Sequence, residues 1–552
     1  MISNAPVSTN IINRANKSIR YFLGPDAYSK TNAVAELSAV RAAFDQWQSV
    51  PGTALKFEEA GLAFSKVDVN TSDQTNLVLW ARNSTLVNGG FDDISGALSL
   101  TFPRVSPENA ILEADIVLNG VQFKWFADFS STNRLDQFVE STVLHEIGHF
   151  IGIDHSPVGG ATMLARGAAG VNTQAGLSGD EIAAARALYP APEQMMELGF
   201  LSGRVMLDGA GVFGACVIAE DASGSLASGT VTRQNGQYEM PALPPGVYRV
   251  RAAPLDPPSN RSPARLISGL DIAPEFAGAD TRFLPVSSAS VSIPAGRTNR
   301  VDLVVTRGNP AFRITRIQPA TQDDGEWVAV NSPTTLRPGD SNFVIGVYSP
   351  DFPPSGAALA VTGDGVALGP ASFTFDAIPG SNPSLHLISA TISVAANAVP
   401  GLRSLVVQHG TNIAYANGFL EILPAMPDFN FDGLDDTFQR RYFPRFTADA
   451  ARPASDPDGD GFDNFGEHAA GTNPTNRLSL FRIERLIQTQ RGSTIVWQGV
   501  PGKRYQVFSR SELIADPWRP AGGAVIAAGT SVEFLDASAT NVMRYYRVQV
   551  LP

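Results

Sequence analysis

Eleven consecutive residues constrain this chain more than any other stretch: His145-Glu146-Ile147-Gly148-His149-Phe150-Ile151-Gly152-Ile153-Asp154-His155, the pattern HExxHxxGxxH. The run before it, Arg134 to Leu144, carries Leu135, Phe138, Val139 and Thr142 at three- and four-residue spacing without Pro or Gly, which predicts a helix. On that helix His145 and His149 share one face. Gly152 stands where the helix must stop for His155 to swing back, because a residue without Cβ takes a left-handed turn cheaply. Three neutral imidazoles then converge, a donor set that suits Zn²⁺ and leaves a fourth position open, the catalytic rather than the structural arrangement. Glu146 follows the first ligand, where its carboxylate can take a proton from an attacking water and return it to a leaving amine. The chain has six histidines and three fall in this window, so a chance cluster of core or surface histidines accounts for it poorly.

These residues resemble the metzincin metallopeptidases, and those downstream narrow the likeness to the matrixin branch: Ser156 follows the third histidine and Met163 sits in Gly160-Ala161-Thr162-Met163. The resemblance implies that Met163 lies in a tight turn beneath the zinc. It covers Ser18 to Pro190. Its order is a strand at Ser18 to Leu23, a helix at Asn32 to Val50 whose Phe44 and Trp47 pack on the sheet, further strands, the zinc helix, the methionine turn and a last helix. Gly96-Ala97-Leu98-Ser99-Leu100-Thr101-Phe102-Pro103 is similar to the matrixin edge strand above the cleft, to which an extended substrate adds as a further strand, so Ala97, Leu98 and Ser99 are candidate substrate contacts. The likeness also implies that Ser141, four residues before the first histidine, and Leu164 line the pocket for the side chain after the cut, with Arg166 able to intrude. Leu100 stands where animal matrixins have a structural-zinc histidine, so one zinc is expected rather than two. Ser178 and the acids Asp180 and Glu181 open the last helix as cap and first turn. In the family the first of these acids tethers the mature N-terminus; here Asp180 is expected to complement the helix dipole.

At 552 residues the chain exceeds one core, and its 50 Gly and 39 Pro with few long helical patterns predict β modules joined by turns. The expected fold is multidomain: an α+β metzincin-type catalytic domain followed by β-sandwich modules and a short calcium-loop segment. Its divisions are a lead-in at 1–17, the peptidase domain at 18–192, a prealbumin-like sandwich at 193–308, an immunoglobulin-like sandwich at 309–424, a calcium segment at 425–476 and a last small sandwich at 477–552. The prealbumin-like sandwich at 193–308 is read as a spacer rather than a catalytic part.

In the calcium segment, Asp456-Pro457-Asp458-Gly459-Asp460-Gly461-Phe462-Asp463-Asn464-Phe465-Gly466-Glu467 places acids at loop positions 1, 3, 5 and 12 and glycine at 6, the oxygen spacing of an EF-hand-type loop. Asp456, Asp458, Asp460, the Phe462 carbonyl and Glu467 are the expected ligands. Asp428, Asn430, Asp432 and Asp436 repeat the first half, but position 12 is Gln439, so weaker binding is expected there. The surroundings resemble dockerin and thrombospondin type 3 calcium repeats.

A net charge of −12 without a basic cluster offers no docking surface for nucleic acid or an anionic membrane. No run reaches the roughly 18 apolar residues that span a bilayer. The single cysteine, Cys216, lies in an apolar strand-like run and is expected to be a buried hydrophobe. Absence of disulfides fits a bacterial product. The start, Met1 to Pro6, does not read as a signal peptide, and the export signal of a secreted enzyme is expected to have been removed or to lie before it. The expected function is a secreted zinc endopeptidase acting on protein or peptide, with the β modules meeting a cell-surface or matrix component. Two rivals remain at this stage: an extracellular adhesion protein with a peptidase-like fold, and hydrolysis of a non-peptide amide.

Overall fold

The computed structural model describes residues 12–13, 18–107, 110–129, 131, 136–165, 175–191, 193, 195–255, 276, 278–280, 282–320, 333–378, 383–512, 514, 516–539 and 543–551. They form two compact units, Met1–Asn430 and Phe431–Pro552, rich in sheet and with few helices.

The first unit opens with a twisted sheet. Its strands are β1 (Ile12–Asn13), β2 (Ser18–Leu23), β3 (Phe57–Leu62), β4 (Leu77–Ala81), β7 (Ser99–Val105) and β8 (Ile111–Asn119), with a small hairpin of β5 (Leu86–Val87) and β6 (Asp92–Asp93) between. The order is β1-β2-β4-β8-β7, with β3 also on β2. Pairs β2/β3, β2/β4 and β4/β8 are parallel, while β7 runs antiparallel to β8 and ends the sheet. β7 therefore lies at an edge, as expected.

Helix α1 (Ala33–Ser49) covers the sheet through Phe44, which stacks on Tyr21 at 3.8 Å between ring centres and meets Phe57 edge-on at 5.1 Å. Burying an aromatic ring of this kind stabilises by about 1.5–3 kcal/mol. Trp47 is fully buried, and its indole N–H also donates to the Leu144 carbonyl at 2.9 Å, tying α1 to the helix that carries His145. Gln46 adds a bond of 2.6 Å to Glu140 on the same helix.

The helix expected from Arg134 begins later. Arg134 and Leu135 lie outside the described residues, and Gln137–Phe138 is a short strand, β10, parallel to β9 (Trp125–Phe126). Helix α2 is Val139–Phe150. The spacing of Phe138 and Val139 was compatible with a helix, but pairing with β9 and the contact of Phe138 with Phe126 at 5.3 Å hold Phe138 extended.

The sandwiches follow. In residues 199–307 the sheet containing Gly199–Leu207 faces the one containing Ala215–Asp221, Leu226–Val231 and Gly246–Pro254. In 316–422 the sheet containing Phe343–Ser349 and His386–Val394 faces the one containing Gly401–His409 and Asn412–Ile422. Arg251, buried in the first, is ion-paired with Glu220 at 2.8 Å, donates to Ser404 at 3.1 Å and Asn417 at 2.7 Å in the second, and lies over the Tyr415 ring. Ser404 also donates to Glu220 at 3.2 Å, and bonds to a charged group contribute about 1.5–3 kcal/mol each, so the two sandwiches are fastened, not strung. Cys216 is buried, as expected.

In the second unit, helices α4 (Asp436–Tyr442) and α5 (Asn464–Ala470) follow the two acidic loops, and residues 483–551 form a small sandwich around Trp497 and Tyr505. Among the described residues no helix is long and apolar enough to cross a membrane.

Candidate metal centre

Four residues apart on α2, His145 and His149 stand with ring centres 4.8 Å apart. The helix ends in a Schellman turn: Gly152 N–H donates to the His149 carbonyl at 3.0 Å, Ile153 N–H to the Gly148 carbonyl at 2.8 Å, and Gly152 takes φ 94°. That reversal returns His155 to within 4.8 Å of His149 and 5.3 Å of His145, between ring centres. One nitrogen of each ring lies within 4.8 Å of the others, and Nε2 of His149 and of His155 are 3.2 Å apart.

The rings are oriented from behind. His145 Nδ1–H donates to the Thr162 carbonyl at 2.8 Å and His149 Nδ1–H to the Ile153 carbonyl at 2.9 Å, which leaves Nε2 with its lone pair. Burial, then the neighbouring histidines, lowers the pKa of both rings to about 4, so they are neutral at pH 7. Two neutral rings with carbonyl-fixed tautomers and a third imidazole gathered beside them fit a zinc ion.

Met163 lies under this cluster, buried, and a Cβ on Gly148 would come 2.1 Å from its sulfur. Gly148, between the two helical ligands, is thus the space the thioether fills. Met163 N–H donates to Glu181 at 2.8 Å, and Glu181 also accepts from Ser178 in a capping box at the start of α3 (Gly179–Leu188).

Glu146 is buried against the edge strand. Ser99 Oγ donates to its Oε1 and Thr101 Oγ1 to its Oε2, each at 2.5 Å. Its charge raises the His145 pKa against the effect of burial, so carboxylate and ring are neighbours. The Ser99 hydroxyl therefore holds the carboxylate rather than facing the cleft. Thr101, two residues along and on the same strand face, was not singled out from sequence. Paired hydroxyls at i and i+2 on a strand facing a helix were the available signal.

Ala97 and Leu98 form the turn before β7, with Ala97 N–H on the Ile94 carbonyl. Half-buried Ser141 donates to the Phe138 carbonyl at 3.2 Å. Leu164 packs against the core of the second sandwich. Arg166 lies outside the described residues. Asp180 stands in the first turn of α3, the dipole-complementing position expected of it, and also accepts from Ser156 at 2.5 Å and from Ser228 and Gly229 of the first sandwich at 2.9 and 2.8 Å.

In the second unit, carboxylate oxygens of Asp456, Asp458 and Asp460 lie within 4.8 Å of one another. Glu467 is 1% exposed and neither of its oxygens has a hydrogen-bond partner, nor do buried Oδ2 atoms of Asp458 and Asp460. Burial and then the three aspartates raise the Glu467 pKa to about 7. From within α4, Gln439 donates to Asp432 in the preceding loop and to the Ala451 carbonyl, both at 2.8 Å.

The family model for the matrixin peptidases, Peptidase_M10, matches residues 13–190, from β1 to the end of the domain that carries α1, α2 and α3. The N-terminal part of the chain is therefore a matrixin domain, and with the three-histidine cluster it supports a zinc metallopeptidase. No curated protein matches the chain. Among solved structures, a putative carbohydrate-binding protein from Bacteroides uniformis is 12% identical with TM-score 0.13, over 40% of this chain and 95% of its own. A putative adhesin from Bacteroides ovatus is 14% identical with TM-score 0.14, over 42% and 88%. Likeness this slight does not bear on fold or chemistry.

Proposed function

We propose that the chain is a secreted zinc endopeptidase in which His145, His149 and His155 hold the metal and Glu146 is the general acid and base. The observation that carries this reading is the convergence of three imidazoles with a buried carboxylate from the adjacent residue. Zinc, when bound, polarises the scissile carbonyl and acidifies a water. Glu146 takes the proton from that water and delivers it to the departing amine. Ser99 and Thr101 hold both carboxylate oxygens, so Glu146 meets the reaction already oriented. Backbone groups on the outer rim of β7, from Ser99 onward, align an extended peptide, with Ala97 and Leu98 in the turn before it as flanking contacts and the Ser141 and Leu164 region taking the side chain after the cut. The domain should hold one zinc, since Leu100 offers no ligand.

Incubating the full chain with casein or gelatin, with and without a zinc chelator, tests the reading. Chelator-sensitive cleavage is expected. A chain that binds zinc but cuts neither protein would return the adhesion and non-peptide amide readings to the front.

The loop Asp456 to Glu467 is proposed as a calcium site using Asp456, Asp458, Asp460, the Phe462 carbonyl and Glu467. Support comes from the gathered carboxylates and the buried, unpartnered Glu467. Asp428, Asn430, Asp432 and Asp436 are proposed as a weaker site, because a neutral Gln439 holds position 12. Calcium titration by calorimetry should resolve a tight and a weak event; a flat trace would refute both.

A further inference from the structure

The loop between the third ligand and the methionine turn leaves the core of its own domain and enters those of its neighbours. Val158 is fully buried in one cluster with Ile218, Leu226 and Val231 of the first sandwich and Leu402 of the second. The approach is close enough that a Cβ on Gly229 would come 2.7 Å from Val158, and one on Gly418 also 2.7 Å. Gly159 N–H donates to the Asn417 carbonyl at 2.7 Å.

Polar bonds join this anchorage to the ligands. Asp180 Oδ1 accepts from Ser228 Oγ and Gly229 N–H on the sandwich, while its Oδ2 accepts from Ser156, the residue after His155. Ser156 N–H donates to the Met163 carbonyl at 2.8 Å, and the Thr162 carbonyl orients His145. One loop, 156–163, thus follows one ligand, aims a second and supplies the methionine below. Its outer side is held by two other modules.

We infer that the first sandwich is a functional part of the metal site, and that Asp180 is a positioning residue which locks Ser156, and through it His155, against Ser228 and Gly229. The sandwich is then no spacer. A carboxylate with both oxygens engaged by charge-assisted bonds has little freedom, and the serine it holds is one peptide from a ligand. Loss of that hold lets His155 sample positions that do not ligate, which speeds metal release without touching any ligand. The inference rests on the zinc reading of the three histidines.

The test compares wild type with Asp180→Ala and with Ser228→Ala, which removes one hydroxyl from a module outside the matrixin domain. Zinc is loaded into the full chain and its transfer to a chromogenic chelator is timed. Hydrogen exchange of residues 156–163 is followed in the metal-free protein, a readout that needs no activity. Transfer is expected to be about tenfold faster in Asp180→Ala, by the usual size of indirect support to a ligand, and severalfold faster in Ser228→Ala. Exchange of the loop should rise in the same order while melting stays cooperative. If Asp180→Ala does not fold, Ser228→Ala decides. Zinc transfer and loop exchange at wild-type rates in a folded variant would overturn the coupling while leaving the peptidase reading intact. A wild-type chain that takes up no zinc would overturn both.

Discussion

The three-histidine centre and the acidic loop at 456–467 gather ligands in opposite ways. At the first, the three imidazoles sit on a helix and a turn, two of the rings are aimed by carbonyls, and the bracing residues come from α3, the edge strand and two sandwiches. At the second, the acids come from twelve consecutive residues; loop N–H groups donate to Asp456, Asp458 and Asp460, but Oδ2 of Asp458 and of Asp460 and both oxygens of buried Glu467 are left without a hydrogen bond. Neutral ligands can be pre-arranged without an ion. Clustered carboxylates repel one another, so on the calcium reading a bound cation would supply part of the folding free energy.

The comparison can be broken most sharply at Glu146. Because the histidine centre is built independently of it, Glu146→Ala should retain one zinc per chain by elemental analysis and lose about 10²–10⁴ in turnover. A variant that loses its zinc, or cuts casein at the wild-type rate, would show that the residue has another role.

Metal removal tests the other half. In chelator, limited proteolysis should nick between Leu423 and Arg477, and calcium at a hundred times its dissociation constant should slow this by about 100-fold. The residues around α2 should resist equally in both conditions. Equal nicking with and without calcium would leave 425–476 as a plain acidic linker.

A smaller effect separates ligation from folding within the loop. Glu467→Gln should weaken calcium by about tenfold through loss of a charged ligand at position 12, yet raise the metal-free melting temperature because a buried charge is gone. If both quantities fell together, Glu467 would be a packing residue.

The smallest effect is in pH. Burial raises the Glu467 pKa to about 7, above the roughly 4.3 of a free glutamate, and Asp458 is shifted in the same direction. The protonated form is favoured in the folded state, so its contribution is complete below the unfolded pKa and is lost as pH rises through 7. Without calcium the second unit should melt a few degrees lower at pH 8 than at pH 5, and calcium should flatten the difference. A metal-free melt that rises with pH would contradict the assignment.

What could be read from the chain follows the same division. The acidic loop and the HExxHxxGxxH run are contiguous, so spacing alone places their ligands, and Gly152 announces its turn. The supports of Glu146 and Asp180 are not contiguous: Ser99 lies 47 residues from Glu146 and Ser228 lies 48 from Asp180. Val158 is one apolar residue in a loop without periodicity, and nothing around it in the sequence says that two sandwiches close over it. The start of α2 was misplaced for a related reason, since the pairing of Gln137 with Trp125 is a tertiary event that local spacing does not encode. That the chain beyond α3 is mostly sheet was legible through its turns, but how the sheets dock was not.

On the peptidase reading, the open rim of β7 determines what kind of protein can be consumed. A chain that adds to an edge strand must arrive extended, with its own backbone groups free to pair. A bond inside a helix or a hairpin meets that requirement only after the segment opens. Susceptibility would then track the local opening free energy of the target more closely than its side chains, and loosely folded or already damaged proteins would be degraded first.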